Sequence, residues 1–146
     1  MPGRRIAPMI IRTEVSTDRV TTWRTLTDPV LVGRWFTHAT PVGAVGDAYE
    51  LDFGSGDVMR GEILEVVQDE RLVYSWGWGD SAPGARTRVT WTLDAADDGT
   101  AVTLTHDGWV EAGFGAAERD DHRRNWEEYV AALVELGDEL AEGDRA

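Results

Sequence analysis

The spacing of apolar residues changes once along the chain, and this change constrains the fold more than any other feature. From Tyr49 to His106, apolar and polar residues alternate in successive segments, which is typical of half-buried β-strands. From about Ala112 to Glu142, apolar residues recur at three- and four-residue steps, as on one face of an α-helix. Hairpin-connected strands followed by one long amphipathic helix predict a curved antiparallel sheet that packs against that helix.

Turn-forming residues separate the strand segments, so the limits of each strand can be predicted. The strands are expected at Tyr49–Phe53, Val58–Val67, Leu72–Trp78, Val89–Leu93 and Val102–His106. The segments Gly54–Asp57, Gln68–Arg71 and Asp97–Gly99 between them favour tight turns. The longer segment Gly79–Ala85 is predicted to be a loop.

The N-terminal part of the chain predicts one more strand and two short helices. The strand covers Ile6–Val15, and the helices cover Arg19–Leu26 and Pro29–Phe36. They are separate because the residue before a proline is disfavoured in a helix, whereas proline suits a first helical position. The expected buried side chains of the two helices are Val20, Trp23 and Leu26, then Leu31, Val32, Trp35 and Phe36. A loop is predicted from Thr37 to Gly46.

The expected fold is therefore α+β, in a single domain spanning residues 1–146. A six-stranded curved antiparallel sheet wraps around a long C-terminal helix, and two short helices lie between strands 1 and 2. Because a twisted sheet bends around a single helix instead of lying flat on it, a cavity is expected between them.

Charge and composition exclude several classes of function. The formal net charge of −13 disfavours nucleic acid or an anionic membrane surface as a partner. The absence of cysteine excludes disulfides, thiolate metal sites and cysteine nucleophiles. No signal peptide and no apolar run of roughly 20 residues is found, so a cytoplasmic location is expected.

Six short motifs in order resemble a known family. They are Leu26-Thr27-Asp28-Pro29, Gly33-Arg34-Trp35-Phe36, Gly43-x-x-Gly46-Asp47, Gly61-Glu62-Ile63-Leu64-Glu65-Val66, Arg71-Leu72-Val73-Tyr74-Ser75-Trp76 and Thr103-Leu104-Thr105-His106-x-Gly108. His122-x-x-x-Trp126 follows on the last helix. The chain thus resembles the START-like SRPBCC superfamily, and within it the family named after the activator of heat shock protein 90 ATPase.

This resemblance implies the helix-grip (START/Bet v-like) fold, over roughly residues 8 to 140. It also implies a stand-alone bacterial type, without the chaperone-binding domain of the eukaryotic cochaperone. Related proteins include hydrophobic-ligand carriers, hormone receptors and polyketide cyclases, so the family does not fix an activity.

The aromatic residues give the candidate ligand-binding site. Seven tryptophans are present, and tryptophan offers a large rigid apolar surface with one N–H donor. The candidate ligand-binding residues are Tyr49, Phe53, Tyr74, Trp76, Trp78, Trp91, His106, Trp109, His122 and Trp126. Trp76, Trp78, Trp91 and Trp126 are equally open to the interpretation that they fill the core, and a core role is favoured for Trp23 and Trp35 on the short helices. Replacing Trp126 by alanine is expected to reduce ligand binding more than it reduces stability. The entrance to the cavity is expected to be formed by the segments Gly79–Ala85 and Gly108–Gly115.

The leading hypothesis is a binding protein for a small apolar or aromatic molecule. The alternative is an enzyme of the cyclase or dehydratase kind with His106 as acid or base, although a structural role for His106 is favoured. A third hypothesis is a module that activates a chaperone ATPase. No cofactor is expected, no metal site has ligand spacing, and the sequence leaves open whether the chain forms a homodimer.

Overall fold

The computed structural model describes residues 6–54, 56–78, 86–110 and 112–145, without the side chains of Trp78, Asp144 and Arg145. Strands and helices alternate only at the N-terminus. In chain order the elements are β1 (Met9–Val15), α1 (Arg19–Thr27), α2 (Pro29–Trp35), β2 (His38–Ala39), β3 (Ala48–Asp52), β4 (Val58–Val67), β5 (Arg71–Trp78), β6 (Thr87–Ala96), β7 (Gly99–Asp107) and α3 (Ala116–Arg145).

The strands form one antiparallel sheet in the order β1-β7-β6-β5-β4-β3-β2. Strands β2 to β7 are a meander, and β1 closes the far edge by pairing with β7, with Met9 opposite His106. The long helix α3 lies against this sheet, so the predicted helix-grip fold is confirmed. The sheet has seven described strands where six were expected.

The additional strand β2 lies inside the segment that was predicted to be a loop. His38 pairs with Asp52 and Ala39 pairs with Leu51. Thr40 continues the contact by donating its amide to the carbonyl of Glu50. Two residues cannot show an alternating pattern, so pairing with the neighbouring strand, and not the local sequence, determines this element.

The two short helices begin at aspartates that cap them. The Asp18 carboxylate accepts from the amide of Thr21, and the Asp28 carboxylate accepts from the amide of Val30. The backbone hydrogen bond to Asp18 lowers the pKa of its carboxyl. Val20, expected in the core, is instead 56% exposed.

Two threonines occupy the buried side of α1 beside Trp23 and Leu26. Thr22 donates its hydroxyl to the carbonyl of Thr17, and the Thr100 hydroxyl of β7 donates to the same carbonyl. The buried hydroxyls are therefore hydrogen-bonded. Helical spacing places the apolar residue Val20 on the predicted inner face of α1. It does not show that threonines occupy that face instead.

Helix α3 lies closest to the sheet at its C-terminal half. A Cβ added at Gly137 would lie 2.2 Å from Val15 Cγ1, so only glycine permits this approach of α3 to β1. At the other end, the amide of Gly115 donates to the Glu118 carboxylate in a capping arrangement. The helix is thus fixed against β1, and any space between helix and sheet must lie elsewhere.

Candidate functional site, an aromatic pocket beside the long helix

The interior between the sheet and the two short helices is almost completely filled by side chains. The void there measures about 30 Å³ and is lined by Leu26, Val32, Trp35, Phe36, Ala39, Thr40, Val42, Tyr49, Leu51, Ile63, Leu72, Tyr74 and Trp91. A space of this size accommodates water but not an organic molecule. The part of the expected cavity around Tyr49, Tyr74 and Trp91 is therefore core.

Two buried tryptophans in this interior, Trp35 and Trp91, have their indole N–H groups hydrogen-bonded within the protein. Trp35 donates to the carbonyl of Thr25 at 2.6 Å, and Trp91 donates to the hydroxyl of Tyr74 at 3.0 Å. Burial raises the pKa of Tyr74. Satisfied polar atoms and near-complete burial are the features of structural residues.

Tyr49, on β3, also has a structural position. Its hydroxyl donates to the carbonyl of Ser75 at 2.6 Å, across β4. This reach depends on Gly61, because a Cβ there would lie 2.0 Å from the same carbonyl oxygen. Burial raises the pKa of Tyr49 well above its ordinary value, so the phenol is a fixed neutral donor.

His106 is fully buried, and both of its ring nitrogens are engaged. Trp126 donates its indole N–H to Nδ1 at 2.9 Å, while Nε2 lies 2.6 Å from the hydroxyl of Thr87. Because Nδ1 accepts, the proton of the neutral ring is on Nε2 and is donated to Thr87. Burial, with a smaller contribution from His122, lowers the pKa of His106 well below its ordinary value. This geometry gives the imidazole a structural role.

Space for a guest is found beside the N-terminal half of α3. A pocket of about 210 Å³ is lined by Phe36, Phe53, Asp57, Trp76, His122, Asn125, Trp126 and Tyr129. Aromatic rings surround it, with the Phe36 centroid 4.7 Å from that of Tyr129 and 5.2 Å from that of Trp126. The volume is below the range of about 300–1,000 Å³ for drug-sized ligands, so it suits a smaller molecule.

Helical spacing places one wall of this pocket. His122, Asn125, Trp126 and Tyr129 lie three, four and seven residues apart, hence on one face of α3. The opposite wall includes Phe36, the residue that ends α2. Its ring stacks on Trp35 with an interplanar angle of 15°. The pocket is therefore continuous with the filled core on one side.

The hairpin between β3 and β4 forms the rim. Phe53 donates its amide to the carbonyl of Asp57, and Asp57 donates its own to the carbonyl of Gly54. Gly54 and Gly56 have φ values of 87° and 84°, which glycine adopts without strain. This turn holds an apolar ring and a carboxylate side by side at the pocket mouth.

Three further polar side chains lie in the pocket wall. For two of them, the structure defines which atom carries a proton. The Nδ1 atom of His122 lies 2.7 Å from the carbonyl of Glu118, so Nδ1 carries a proton. Desolvation, with a smaller contribution from Glu128, raises the pKa of Tyr129, so its phenol is neutral at physiological pH. Asn125 is exposed and adds an amide that can both donate and accept.

The structure brings together only some of the expected site residues. Phe53, Trp76, His122 and Trp126 line the pocket. Tyr49, Tyr74 and Trp91 border the small internal void, and His106 and Trp109 are buried behind the wall. The side chain of Trp78 and the loop Gly79–Ala85 lie outside the described residues.

Two expectations about the site change with this geometry. Trp126 is only 2% exposed and bonds His106, so its replacement is expected to lower stability together with binding. In the segment Gly108–Gly115, Trp109 is 1% exposed and packs 4.3 Å from His106. Its ring thus belongs to the core, and among the described residues the β3–β4 hairpin contributes Phe53 and Asp57 to the pocket wall.

Four pocket residues were not expected from the sequence. Asn125 and Tyr129 follow His122 at helical spacing, so the stripe itself could have identified them. Phe36 was assigned only to the buried side of α2. Asp57 gave no signal, because an acidic residue in a turn is ordinary.

Wider depressions on the outer face of the sheet are less suited to an apolar guest. One of about 510 Å³ is lined by Glu62, Leu64, Ser75, Arg86, Thr87, Arg88, Asp107 and Gly108. Its walls are mostly polar or charged and its shape is open, so it would leave a small molecule largely hydrated. The aromatic pocket remains the candidate site.

The described residues also limit the other site classes. No helix among them is long and apolar enough to cross a membrane. Over the same ranges, no group of three His, Asp or Glu side chains is arranged to hold a metal ion.

Comparison with known proteins identifies the family. The sequence profile described as Activator of Hsp90 ATPase homolog 1-like protein matches residues 16–138. The chain belongs to this family. The resemblance seen in the sequence motifs is thereby confirmed, whereas no curated protein matches the chain significantly.

Solved structures share the fold of this family member. Protein MLL2253 from Mesorhizobium loti has a TM-score of 0.80 at 24% identity, covering 91% of this chain and 98% of that one. The Aha1 dimer from Colwellia psychrerythraea has a TM-score of 0.73 at 17% identity, covering 88% and 93%.

A third structure is DynU16, a protein in the dynemicin biosynthetic locus. Its TM-score is 0.77 at 25% identity, and the match covers 88% of this chain but 46% of DynU16. The present chain thus spans about half the length of that protein.

Proposed function

We propose that this protein binds a small molecule with an apolar or aromatic body in the pocket beside α3. The observation that carries the proposal is the pocket itself, about 210 Å³ in volume with five aromatic side chains in its wall. Such a surface gains free energy by removing an apolar guest from water, at roughly 25 cal/mol per Å². Rim residues Asp57, Asn125 and Tyr129 supply polar contacts that can orient the guest.

The alternative of an acid–base enzyme centred on His106 is not favoured by the geometry. A general base must reach the proton that it abstracts. Both ring nitrogens of His106 already have protein partners, and no part of the ring is exposed. A binding function makes no such demand, because the pocket needs only contact surface and a few polar groups.

A substitution that fills the pocket tests the proposal with little risk to the fold. Asn125 is exposed on α3 and lines the pocket, so Asn125→Trp places a large ring at its mouth. We expect the affinity for 2-naphthol, followed by isothermal titration calorimetry, to fall at least tenfold. The midpoint of urea unfolding should shift little, because exposed helix positions usually change stability by less than about 0.5 kcal/mol.

The matched control is Glu127→Trp, an exposed position two residues further along α3 that does not line the pocket. It adds the same ring to the same helix and should leave the affinity unchanged. Equal affinities for both variants and the wild type, or no binding of 2-naphthol at all, would contradict the proposal. Native mass spectrometry of protein purified from its own host is a separate way to identify a bound small molecule.

A further inference from the structure

The charge distribution around the pocket narrows the class of ligand, given the proposed binding function. Among the described lining residues Asp57 is the only charged side chain, since no arginine or lysine lines the pocket. A carboxylate, phosphate or sulfate ligand would therefore find no fixed cation and would face a carboxylate.

The Asp57 carboxylate is available to a ligand. Its backbone is fixed in the hairpin by hydrogen bonds with Phe53 and Gly54. No hydrogen bond or ion pair from any described residue reaches its side chain, although six ion pairs are present elsewhere. Asp57 is exposed at the rim, so its side chain is hydrated while the pocket is empty.

Aromatic rings line the pocket together with Asp57. The centroid of Phe53 lies 6.1 Å from that of Tyr129 and 6.3 Å from that of Trp76. An ammonium group is attracted to an aromatic face within about 6 Å of the centroid, and quaternary ammonium ligands are recognised in this way. A cation at the mouth can thus contact more than one ring and one carboxylate together.

We propose that the ligand is an organic cation, with an alkylammonium group at Asp57 and an apolar or aromatic body in the pocket. The net charge of −13 favours the approach of such a molecule. The apolar body accounts for the aromatic walls, and the ammonium group accounts for a carboxylate at an otherwise uncharged site. A neutral aromatic compound of the same shape binds more weakly.

An isosteric pair of probes tests this inference separately from the proposed function. Phenyltrimethylammonium and tert-butylbenzene have the same shape and differ in one positive charge. Their affinities are measured by ligand-observed NMR at pH 8. We expect the cation to bind about tenfold tighter to the wild type.

Asp57→Asn removes the charge and keeps the size of the side chain, and it should reduce the preference to about twofold while tert-butylbenzene binds as before. Glu127→Gln is the control, because it changes the net charge equally at an exposed position outside the pocket. It should retain the tenfold preference.

Each outcome decides between the two claims. Equal affinity of the wild type for both probes overturns the cation preference and leaves the binding function standing. A preference that persists in Asp57→Asn overturns the role of the carboxylate. If neither probe binds, the proposed function fails, and the ligand class fails with it.

Discussion

Two aromatic clusters of similar composition differ in what surrounds them. The inner cluster, Trp35, Tyr74, Trp91 and His106, is enclosed on all sides, and its ring N–H groups have partners inside the protein. The outer cluster, Phe36, Phe53 and Tyr129, borders a pocket of about 210 Å³. Aromatic content therefore does not make a site. A site requires rings that border an unfilled space.

The position of α3 explains this difference. Gly137 brings the C-terminal half of the helix against Val15, and the interior beside it is filled. At the N-terminal half, the opposing surface is provided by the β3–β4 hairpin and the end of α2. These elements meet at the side chains of Phe53, Asp57 and Phe36 and leave space between them.

The largest expected effect comes from opening the inner cluster. Trp91 is 1% exposed and bonds Tyr74, so Trp91→Ala leaves a large cavity and a buried hydroxyl that loses its donor. We expect the free energy of unfolding in urea to fall by about 3–5 kcal/mol. A loss below about 1 kcal/mol would show that this region is not the rigid core described here.

A smaller effect is expected from separating α3 and β1. Gly137→Ala introduces a methyl group against Val15 and should lower the free energy of unfolding by about 1–3 kcal/mol. Gly33→Ala is the control, since a Cβ there meets nothing within 4 Å. Replacing this glycine of α2 should raise stability by up to about 1 kcal/mol. If both variants are stabilised, the close approach is not required.

The smallest effect is pH-dependent and comes from His106. Its pKa in the folded protein is well below the ordinary value, so the unfolded chain binds a proton that the folded protein does not bind. Stability from this group is complete above about pH 6.5 and is lost below it, by up to about 1.4 kcal/mol per pH unit.

Urea unfolding of the wild type and of His106→Gln at pH 7.5 and 5.5 measures this contribution. The wild type should lose more stability on acidification than the variant does. His38→Gln, at an exposed histidine, should behave like the wild type. Identical losses in His106→Gln and the wild type would show that His106 is not buried in its neutral form.

Much of the fold was accessible from the sequence, because alternation and helical spacing directly reflect which face of an element is buried. Strand β4 was predicted with both limits correct, and α3 was predicted from its apolar stripe. Strand β2 was missed, since two residues carry no period. The inner position of Thr22 was missed because its burial depends on hydroxyl partners in other segments.

The candidate site was less accessible. Periodicity shows that Trp76, Trp91 and Trp126 face inward. It cannot show which of them borders an unfilled pocket. That depends on how far α3 lies from each strand, which Gly137 and Val15 determine at a distant point. Phe36 and Asp57 join the site only through tertiary contacts between α2, the β3–β4 hairpin and α3.

The most direct test locates a bound guest. With protein saturated by tert-butylbenzene, intermolecular nuclear Overhauser effects should connect the tert-butyl and ring protons to the rings of Phe53 and Tyr129. Contacts to Trp91 and Leu72 should be absent, because the void beside them measures only about 30 Å³. Contacts to those two interior residues, with none to Phe53 or Tyr129, would contradict the account.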